Sequence, residues 1–385
     1  MFNFARRNGN IYCINKIVMN YKSILFCAFT ICVLCGVGQA QETLSNGKYK
    51  IGVGGWIDGQ YRVDMGNGDK SSSMQVRRAR LDVKGRLSKL VDCRIQADLS
   101  STPKLIDAYM RLSFSPALSL QAGQFKIPFT LENILSPLDL ELADNAQVIS
   151  ALSGYKDVNG IASYANGRDI GLMMSGSLLP VDVRGESTYL IKYDIGLFGG
   201  GGINVAPSRW GKDVAGRIMI CPYVKNLTLS ASVYWGEYGL PHTTAAGDEK
   251  GMRRRVAAGV QYVDDFFVLR GEYLWGYTGI EMLDAVTELY SLDNIATRGC
   301  YFTASRWFPL GKESESGFVQ RLRPIVRWDY YTKDYDAGTA NTFYWAGVEW
   351  WPERHLRLQL AYRIHKDDNS GNFDHRLTAM TTVKF

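Results

Sequence analysis

The last thirty residues of this 385-residue chain restrict its fold more than any other segment. Apolar and polar side chains alternate over residues 356–365, and the alternation resumes after a polar turn and continues to Phe385. A period of two predicts extended strands, each with one apolar and one polar face. Such a hairpin suits the wall of a membrane β-barrel, and it equally suits a soluble antiparallel sheet with one solvated face.

The beginning of the chain predicts export. Residues 1–40 contain four basic side chains and no acidic ones, and residues 24–37 form an apolar run. That run is too short for a helix that spans a membrane. Gly38 and Ala40, separated by Gln39, form the small-x-small pattern of a signal-peptidase site. We therefore predict a signal peptide over residues 1–40, with Met19 as a possible start.

The composition of the remaining chain excludes several classes of protein. Without the four basic residues of the leader, 40 of the 44 Lys and Arg remain against 38 Asp and Glu. A nucleic-acid-binding domain would carry a larger basic excess. The remaining cysteines, Cys93, Cys221 and Cys300, are too few and too scattered for a disulfide framework. No Cys or His spacing predicts a metal site, and we predict no cofactor.

The region after residue 40 is organised as strands of about ten residues separated by turns. No apolar segment there is long enough for a membrane helix. An even number of strands is typical of an up-and-down barrel with both termini in the periplasm. We count sixteen candidates, at residues 48–65, 74–88, 90–101, 104–115, 118–132, 168–178, 187–198, 212–222, 227–238, 253–264, 266–278, 297–310, 322–334, 341–352, 356–366 and 373–385.

The lengths of the connections alternate between short and long, as they do in outer-membrane barrels. The short inner connections are 88–89, 115–117, 222–226, 264–265 and 352–355, and the outer ones include 66–73, 133–167, 199–211, 239–252 and 279–296. Three connections deviate: 179–186 and 311–321 are long for inner turns, and 101–103 is short for an outer one. With aromatic residues near many strand ends, this pattern predicts that residues 41–385 form one all-β transmembrane antiparallel barrel.

Three motifs carry a family resemblance. They are Arg77-Arg78-Ala79-Arg80-Leu81, the segment 104–109 with sequence KLIDAY, and the segment 123–129 with sequence GQFKIPF. In this order they resemble the phosphate-selective porin O and P family of Gram-negative outer membranes. The resemblance implies a sixteen-stranded barrel, a homotrimer, and passive diffusion of anions past Arg and Lys side chains that face the lumen.

Strand alternation predicts which cations face the lumen. With the apolar face of each strand toward lipid, the basic face of residues 74–88 turns inward, because a charge facing lipid at mid-depth costs about 2–4 kcal/mol. The same alternation places Val76 on the lumen side and Ile106 on the lipid side. The predicted pore-lining residues are Arg78, Arg80, Lys84, Arg86, Arg94, Arg111, Lys126, Arg327, Arg357, Arg363 and Arg376.

Two of these assignments have alternatives. Lys126 faces the lumen only if a β-bulge at Gly123 reverses its strand parity. The cations as a group either guide anions or brace the barrel by pairing with neighbouring carboxylates. The carboxylates suited to such pairing are Asp82, Asp92, Asp98 and Asp107.

Residues 133–167 form the candidate constriction loop, because a loop of this length in a compact domain is usually functional or disordered. Its acidic residues are Asp139, Glu141, Asp144 and Asp157, against a single basic residue, Lys156. This composition differs from an arginine-lined constriction and leaves the preferred anion open.

Two other classes of function are weaker. A barrel hydrolase needs a nucleophile, a His and an orienting partner, and His365 with Ser370 in a polar turn lacks that partner. A non-conducting structural barrel or adhesin would need a plugged lumen under long loops. We therefore predict a porin, not an enzyme, that lets small solutes, preferably anions, cross the outer membrane and does not bind nucleic acid. A general or weakly cation-selective porin is the main alternative.

Overall fold

Strands account for most of the residues that the computed structural model describes. These residues are 43–45, 49–66, 69–100, 102–153, 167–183, 185–205, 212–240, 242–247, 250–284, 286–311, 313, 317–338 and 340–385. The predicted signal peptide 1–40 and residues 154–166 of the long loop, including Lys156 and Asp157, lie outside this set. Within it, no helix is both long and apolar enough to cross a membrane.

The described residues form eighteen strands and one short helix, α1 (Gln147–Leu152). The strands are β1 (Thr43–Ser45), β2 (Lys50–Gly66), β3 (Asp69–Arg86), β4 (Val91–Asp98), β5 (Lys104–Ser115), β6 (Leu118–Lys126), β7 (Arg168–Val183), β8 (Glu186–Phe198), β9 (Asp213–Ile220), β10 (Leu227–Gly239), β11 (Lys250–Val263), β12 (Phe267–Leu283), β13 (Tyr290–Arg306), β14 (Phe308–Leu310), β15 (Gln320–Thr332), β16 (Ala340–Glu353), β17 (Leu356–Asp367) and β18 (Phe373–Lys384).

Sixteen of these strands form a closed antiparallel barrel. Each wall strand pairs with the next one in sequence, and β18 pairs with β2 to close the ring. Of the two remaining strands, β1 adds to the start of β2, and β14 continues β13 after an interruption at Trp307 and pairs with the same neighbour, β15. The predicted all-β, sixteen-stranded, up-and-down barrel is confirmed.

The C-terminal hairpin is the closing hairpin of this barrel. Arg357 and Gln359 of β17 are buried inside, whereas Leu360 and Tyr362 point outward and are exposed. Phe385 exchanges two backbone hydrogen bonds with Gly55 in β2, each 3.0 Å long. The apolar face of the hairpin therefore forms part of the outer wall, and its polar face lines the interior.

Several predicted connections are shorter than expected. The predicted outer loop 66–73 is shorter than predicted, because β2 runs to Gly66 and β3 starts at Asp69. The predicted inner connection 179–186 also shrinks, since β7 ends at Val183 and β8 begins at Glu186. The first residues of β3, from Asp69 to Ser73, are all polar and pair with β2 through the backbone, which needs no apolar side chain. The alternation of hydrophobicity therefore underestimates strand length beyond the apolar band.

Two bulges change side-chain directions that strict alternation predicts. Between β2 and β3, Asp58 pairs with Arg78 and Gly59 with Val76, so Arg77 is an extra residue. Val76 consequently points outward and is exposed, against the prediction. Between β4 and β5, Ile106 is the unpaired residue, and it is fully buried and not lipid-facing.

Candidate functional site

The segment 127–153 lies inside the barrel and packs against its inner wall. Phe129, Val148 and Leu152 of this segment belong to a buried cluster that includes Leu274 and Tyr301 of the wall. A second cluster joins Leu142 to wall residues of β15, β16 and β17; these are Ile325, Phe343, Trp345 and Ala361. The apolar part of the predicted loop is therefore held by hydrophobic contacts within an otherwise polar interior.

Acidic residues of the segment bind arginines of the wall. The Glu132 carboxylate lies 3.0 Å from Arg327, and both side chains are fully buried. The Glu141 carboxylate lies 2.9 Å from Arg270. Charge-assisted pairs of this kind are stronger than neutral hydrogen bonds. The acidic residues therefore attach the segment to the wall.

Asp144 forms a third attachment near the Arg77 bulge. Arg77 approaches its carboxylate to 2.7 Å and Arg62 to 3.5 Å. Burial by itself raises the pKa of Asp144, but the two guanidinium groups outweigh burial and hold that pKa well below its usual range. Asp144 is therefore ionised throughout the physiological range.

A wall carboxylate also fixes the first turn of the segment. Glu272 in β12 accepts hydrogen bonds from the backbone N–H groups of Leu131 and Glu132, at 2.6 and 2.9 Å. The Tyr301 hydroxyl donates to the same carboxylate at 2.8 Å. These bonds satisfy backbone donors that would otherwise be buried without a partner.

A cavity of about 880 Å³ lies on the side of the segment where the C-terminus is. Residues 134 and 136–139 of the segment form part of its lining. Ten of the lining side chains are basic: Arg80, Lys84, Arg94, Arg111, Lys126, Arg168, Arg321, Arg323, Arg354 and Lys384. Among the lining residues that the structure describes, four are acidic: Asp82, Asp107, Asp139 and Glu349. The lining therefore carries a clear excess of positive charge.

Five of the eleven predicted pore-lining residues line this cavity: Arg80, Lys84, Arg94, Arg111 and Lys126. Arg78 pairs with Asp58 at 3.1 Å, away from the cavity. Arg86 lies at the rim, where it is exposed and pairs with Asp92 at 2.9 Å.

The other four predicted residues hold the segment or line the opposite mouth of the barrel. Arg327 binds Glu132, as described above, and Arg357 donates to the Leu138 carbonyl at 3.0 Å. Arg376 pairs with Asp64. Arg363 lies over the rings of Phe343 and Trp345, with its guanidinium carbon 5.5 and 5.8 Å from the ring centroids.

Bracing ion pairs are common among the cations of the cavity. Arg80 pairs with Asp98 at 3.2 Å, and Arg94 pairs with Asp82 at 2.8 Å. Arg111 differs, because its hydrogen bond is to the neutral side chain of Gln121, at 2.9 Å. The cations of this face therefore differ, because Arg80 and Arg94 pair with carboxylates whereas Arg111 bonds a neutral amide.

Lys126 lines the cavity, although the predicted bulge at Gly123 is absent. The ladders on both sides of β6 continue through Gly123 without an extra residue. Instead, Gly123 adopts a φ of +127°, and an added Cβ would lie 2.2 Å from the Ala108 carbonyl oxygen. Only glycine fits there. Beyond this point, Lys126 donates to the Asn133 carbonyl of the segment at 2.6 Å.

Sequence reasoning missed the other half of the basic lining. Arg321 and Arg323 precede Arg327 at the same strand parity, so alternation within β15 is the signal that could have found them. No comparable sequence pattern identifies Arg168. It lies opposite Lys126 where β6 and β7 pair, and its guanidinium is 2.6 Å from the Asp107 carboxylate. Only the register of β6 with β7 brings those two cations together.

The residues considered for a hydrolase do not form a catalytic arrangement. The Ser370 hydroxyl donates to Asp367 at 2.7 Å, while the His365 ring contacts Asn341 and Asp374. Among the described residues, no three His, Cys, Asp or Glu side chains converge as a metal site.

Comparison with known proteins agrees with this geometry. The sequence model of the family described as phosphate-selective porin O and P matches residues 49–264. No curated protein matches the chain.

Solved structures with the same architecture are distant in sequence. Salmonella typhi OmpF in complex with daunomycin shares 16% identity at a TM-score of 0.64, over 89% of this chain and 100% of that one. The anion-selective porin from Comamonas acidovorans shares 14% identity at a TM-score of 0.62, over 88% of this chain and 100% of that one. A trimer form of Vibrio cholerae OmpT shares 8% identity at a TM-score of 0.54, over 88% of this chain and 99% of that one. These likenesses show a shared fold.

Proposed function

Because the chain belongs to the phosphate-selective porin O and P family, we propose that this outer-membrane porin lets small hydrophilic anions diffuse passively through its lumen. The observation that carries the proposal is the lining of the cavity, with ten basic side chains against four acidic ones. Cations around a narrow aqueous path concentrate anions and repel cations. Arg111 contributes most directly, since it bonds a neutral amide. The Lys84 side chain is 66% exposed, and it shares its partner Asp82 with Arg94.

The acidic loop supports anion preference when its contacts are considered. Glu132, Glu141 and Asp144 each bind a wall arginine, so their charges are compensated locally. Among the loop carboxylates that the structure describes, only Asp139 lines the cavity. We therefore assign residues 133–167 the role of a constriction that narrows the lumen without reversing its selectivity.

The similar solved structures support two parts of this proposal, the oligomeric state and the ion preference. One structurally similar porin is described as a trimer form, which supports a homotrimer here. Another is described as anion-selective, which supports the preference inferred from the cavity. Export would remove residues 1–40 as a signal peptide, and N-terminal sequencing of the mature protein tests that cleavage.

Single-channel recording in a planar bilayer under a KCl gradient tests the proposal. We expect a reversal potential that indicates anion preference, and a decrease in chloride current when phosphate is added as a competitor. A reversal potential indicating cation preference would contradict anion guidance. Absence of any conductance from folded protein would favour a non-conducting structural barrel.

A further inference from the structure

Two arginines lie on the outer surface of the barrel within a group of aromatic residues. Arg254 in β11 pairs in register with Trp235 and Tyr277 on its two neighbouring strands. Arg298 in β13 pairs in register with Trp275. Arg254, Trp235 and Tyr277 are exposed on the outer face. Arginine is unexpected on a surface that faces lipid.

The strand register gives the depth of these arginines. Phe267 and Arg306 pair at the C-terminal side of the barrel, and Arg298 lies eight residues above Arg306. With a rise of about 3.3 Å per residue and a tilt of about 40°, this separation is roughly 20 Å along the barrel axis. An apolar band about 25 Å tall that begins at the level of Arg306 therefore ends near Arg298 and Arg254. They therefore lie at the extracellular border, on the side of the longer loops.

Neither arginine has an acidic partner in the described part of the chain. Arg254 stacks on Trp235 with its guanidinium carbon 4.9 Å from the ring centroid, and Arg298 stacks on Tyr335 at 3.2 Å. Glu237 lies on the same outer face of β10, but it pairs with Lys250 at 3.0 Å. Two cations at headgroup depth without carboxylates form a surface complementary to anionic headgroups.

The surface below Arg254 is apolar and shallow. Ala231 and Ala258 pair across β10 and β11, directly under the pair formed by Val233 and Val256. On β12, Tyr273 pairs in register with Ala258, and its larger side chain also points outward. Small residues bordered by an aromatic ring form a surface on which an acyl chain can pack.

We propose that Arg254 and Arg298 bind the phosphate groups of one diphosphorylated lipid of the outer leaflet, of the lipid A class. The two arginines are two strands and two residues apart, which corresponds to about 12 Å from strand spacing and rise. Each guanidinium offers a planar fork of donors that suits a phosphate. The site lies outside the lumen and does not depend on the proposed anion preference.

Native mass spectrometry of the purified protein with added lipid tests this site. The probes are diphosphoryl lipid A, monophosphoryl lipid A and phosphatidylcholine. We expect the wild-type protein to retain diphosphoryl lipid A best, and the Arg254→Gln/Arg298→Gln double variant to bind it about tenfold more weakly. Arg306→Gln is the matched control, because Arg306 also faces outward and stacks on Phe267 and Phe308, at the opposite end of the wall.

The outcomes separate the site from folding and from conduction. Arg254→Lys/Arg298→Lys, which keeps both charges, should retain most of the lipid binding even if the glutamine variant folds poorly. Equal retention of all three lipids by the wild type would overturn the proposal. A changed oligomeric state with unchanged lipid binding would also overturn it, because the surface would then be a subunit contact. Ion selectivity should be the same in all folded variants.

Discussion

Arg111 shows how a single residue can contribute charge to the cavity without bracing the wall. Its guanidinium donates to the neutral amide oxygen of Gln121, and no ion pair joins it to a carboxylate of the residues that the structure describes. By contrast, the exposed Arg86 pairs with Asp92 at the rim. These two arginines, on strands separated by β4, therefore differ in their expected effect on ions.

The first prediction concerns this difference. Arg111→Gln should lower the anion-to-cation permeability ratio by about twofold, because it removes an uncompensated charge from the aqueous path. Reversal potentials under a salt gradient measure the ratio. Arg86→Gln serves as the control and should change it little. Equal effects of the two substitutions would mean that position in the cavity does not decide selectivity.

A second prediction concerns the buried pair between Glu132 and Arg327. Glu132→Gln leaves Arg327 as an uncompensated buried charge and should destabilise the barrel by about 3–5 kcal/mol. The midpoint of urea unfolding in detergent measures the loss. Combining it with Arg327→Met should recover part of the stability. Glu353→Gln, at an exposed strand end, is the control and should leave the midpoint unchanged.

At the scale of elements, the segment 127–153 is the part whose position decides the shape of the lumen. Two clusters of apolar side chains and three carboxylates, each paired with an arginine, attach it to the wall. These attachments distribute the loop around the inner wall. The segment is therefore expected to remain in place while solutes pass.

Asp144 gives this attachment a defined pH dependence. Its pKa is lowered in the folded protein, so its contribution to stability is present above the unfolded value of about 3.9. That contribution is lost only as pH falls through the lowered folded pKa. We therefore expect this contact to remain intact between about pH 5 and pH 8, with little change in single-channel current noise.

Asp144→Asn tests the same attachment directly. The substitution frees Arg77 and Arg62 from their carboxylate, so current noise and anion preference should both rise at neutral pH. Single-channel recording measures both quantities. Asp139→Asn, in the same segment but lining the cavity, should raise anion preference without adding noise. Identical current noise in the two variants would contradict the role of Asp144 in attaching the segment to the wall.

Gly123 determines the course of β6 toward the segment. Gly123→Ala should destabilise the barrel by about 1–3 kcal/mol or prevent folding, because the position combines a φ of +127° with a close carbonyl. Folded yield and unfolding midpoint measure the effect. Gly52→Ala is the control, since an added Cβ there has no atom within 4 Å. Equal tolerance of both substitutions would contradict the assigned constraint.

At the scale of the whole molecule, the proposed anion preference rests on many charges acting over a distance. The screening length is about 10 Å at 0.1 M salt and about 3 Å at 1 M. We expect the anion-to-cation permeability ratio to fall as ionic strength rises across this range. Reversal potentials at fixed concentration ratio and increasing absolute concentration measure it. A ratio independent of salt would indicate selection by steric contact instead.

The sequence predicted the barrel well because every wall strand follows the same alternation of outward apolar and inward polar side chains. All sixteen candidate strands correspond to wall strands, and the closing hairpin faces inward and outward as expected. The errors occur where this alternation is interrupted locally. Arg77 and Ile106 are the extra residues of bulges, and Val76 turns outward as a consequence. A bulge depends on pairing with a neighbouring strand, which alternation within one strand does not report.

The sequence by itself predicted a membrane barrel, through three signals together: the alternation of hydrophobicity, the export signal and the alternating lengths of the connections. Alternation follows because lipid and water on opposite sides of one wall impose a period of two. Only the tertiary structure decided which cations line the cavity. Arg327 and Arg270 face inward like Arg111, yet loop carboxylates occupy them. Those partners lie more than 120 residues away in sequence. Because ion pairing is decided in space, the charge that remains for solutes follows from the folded segment and the strand register.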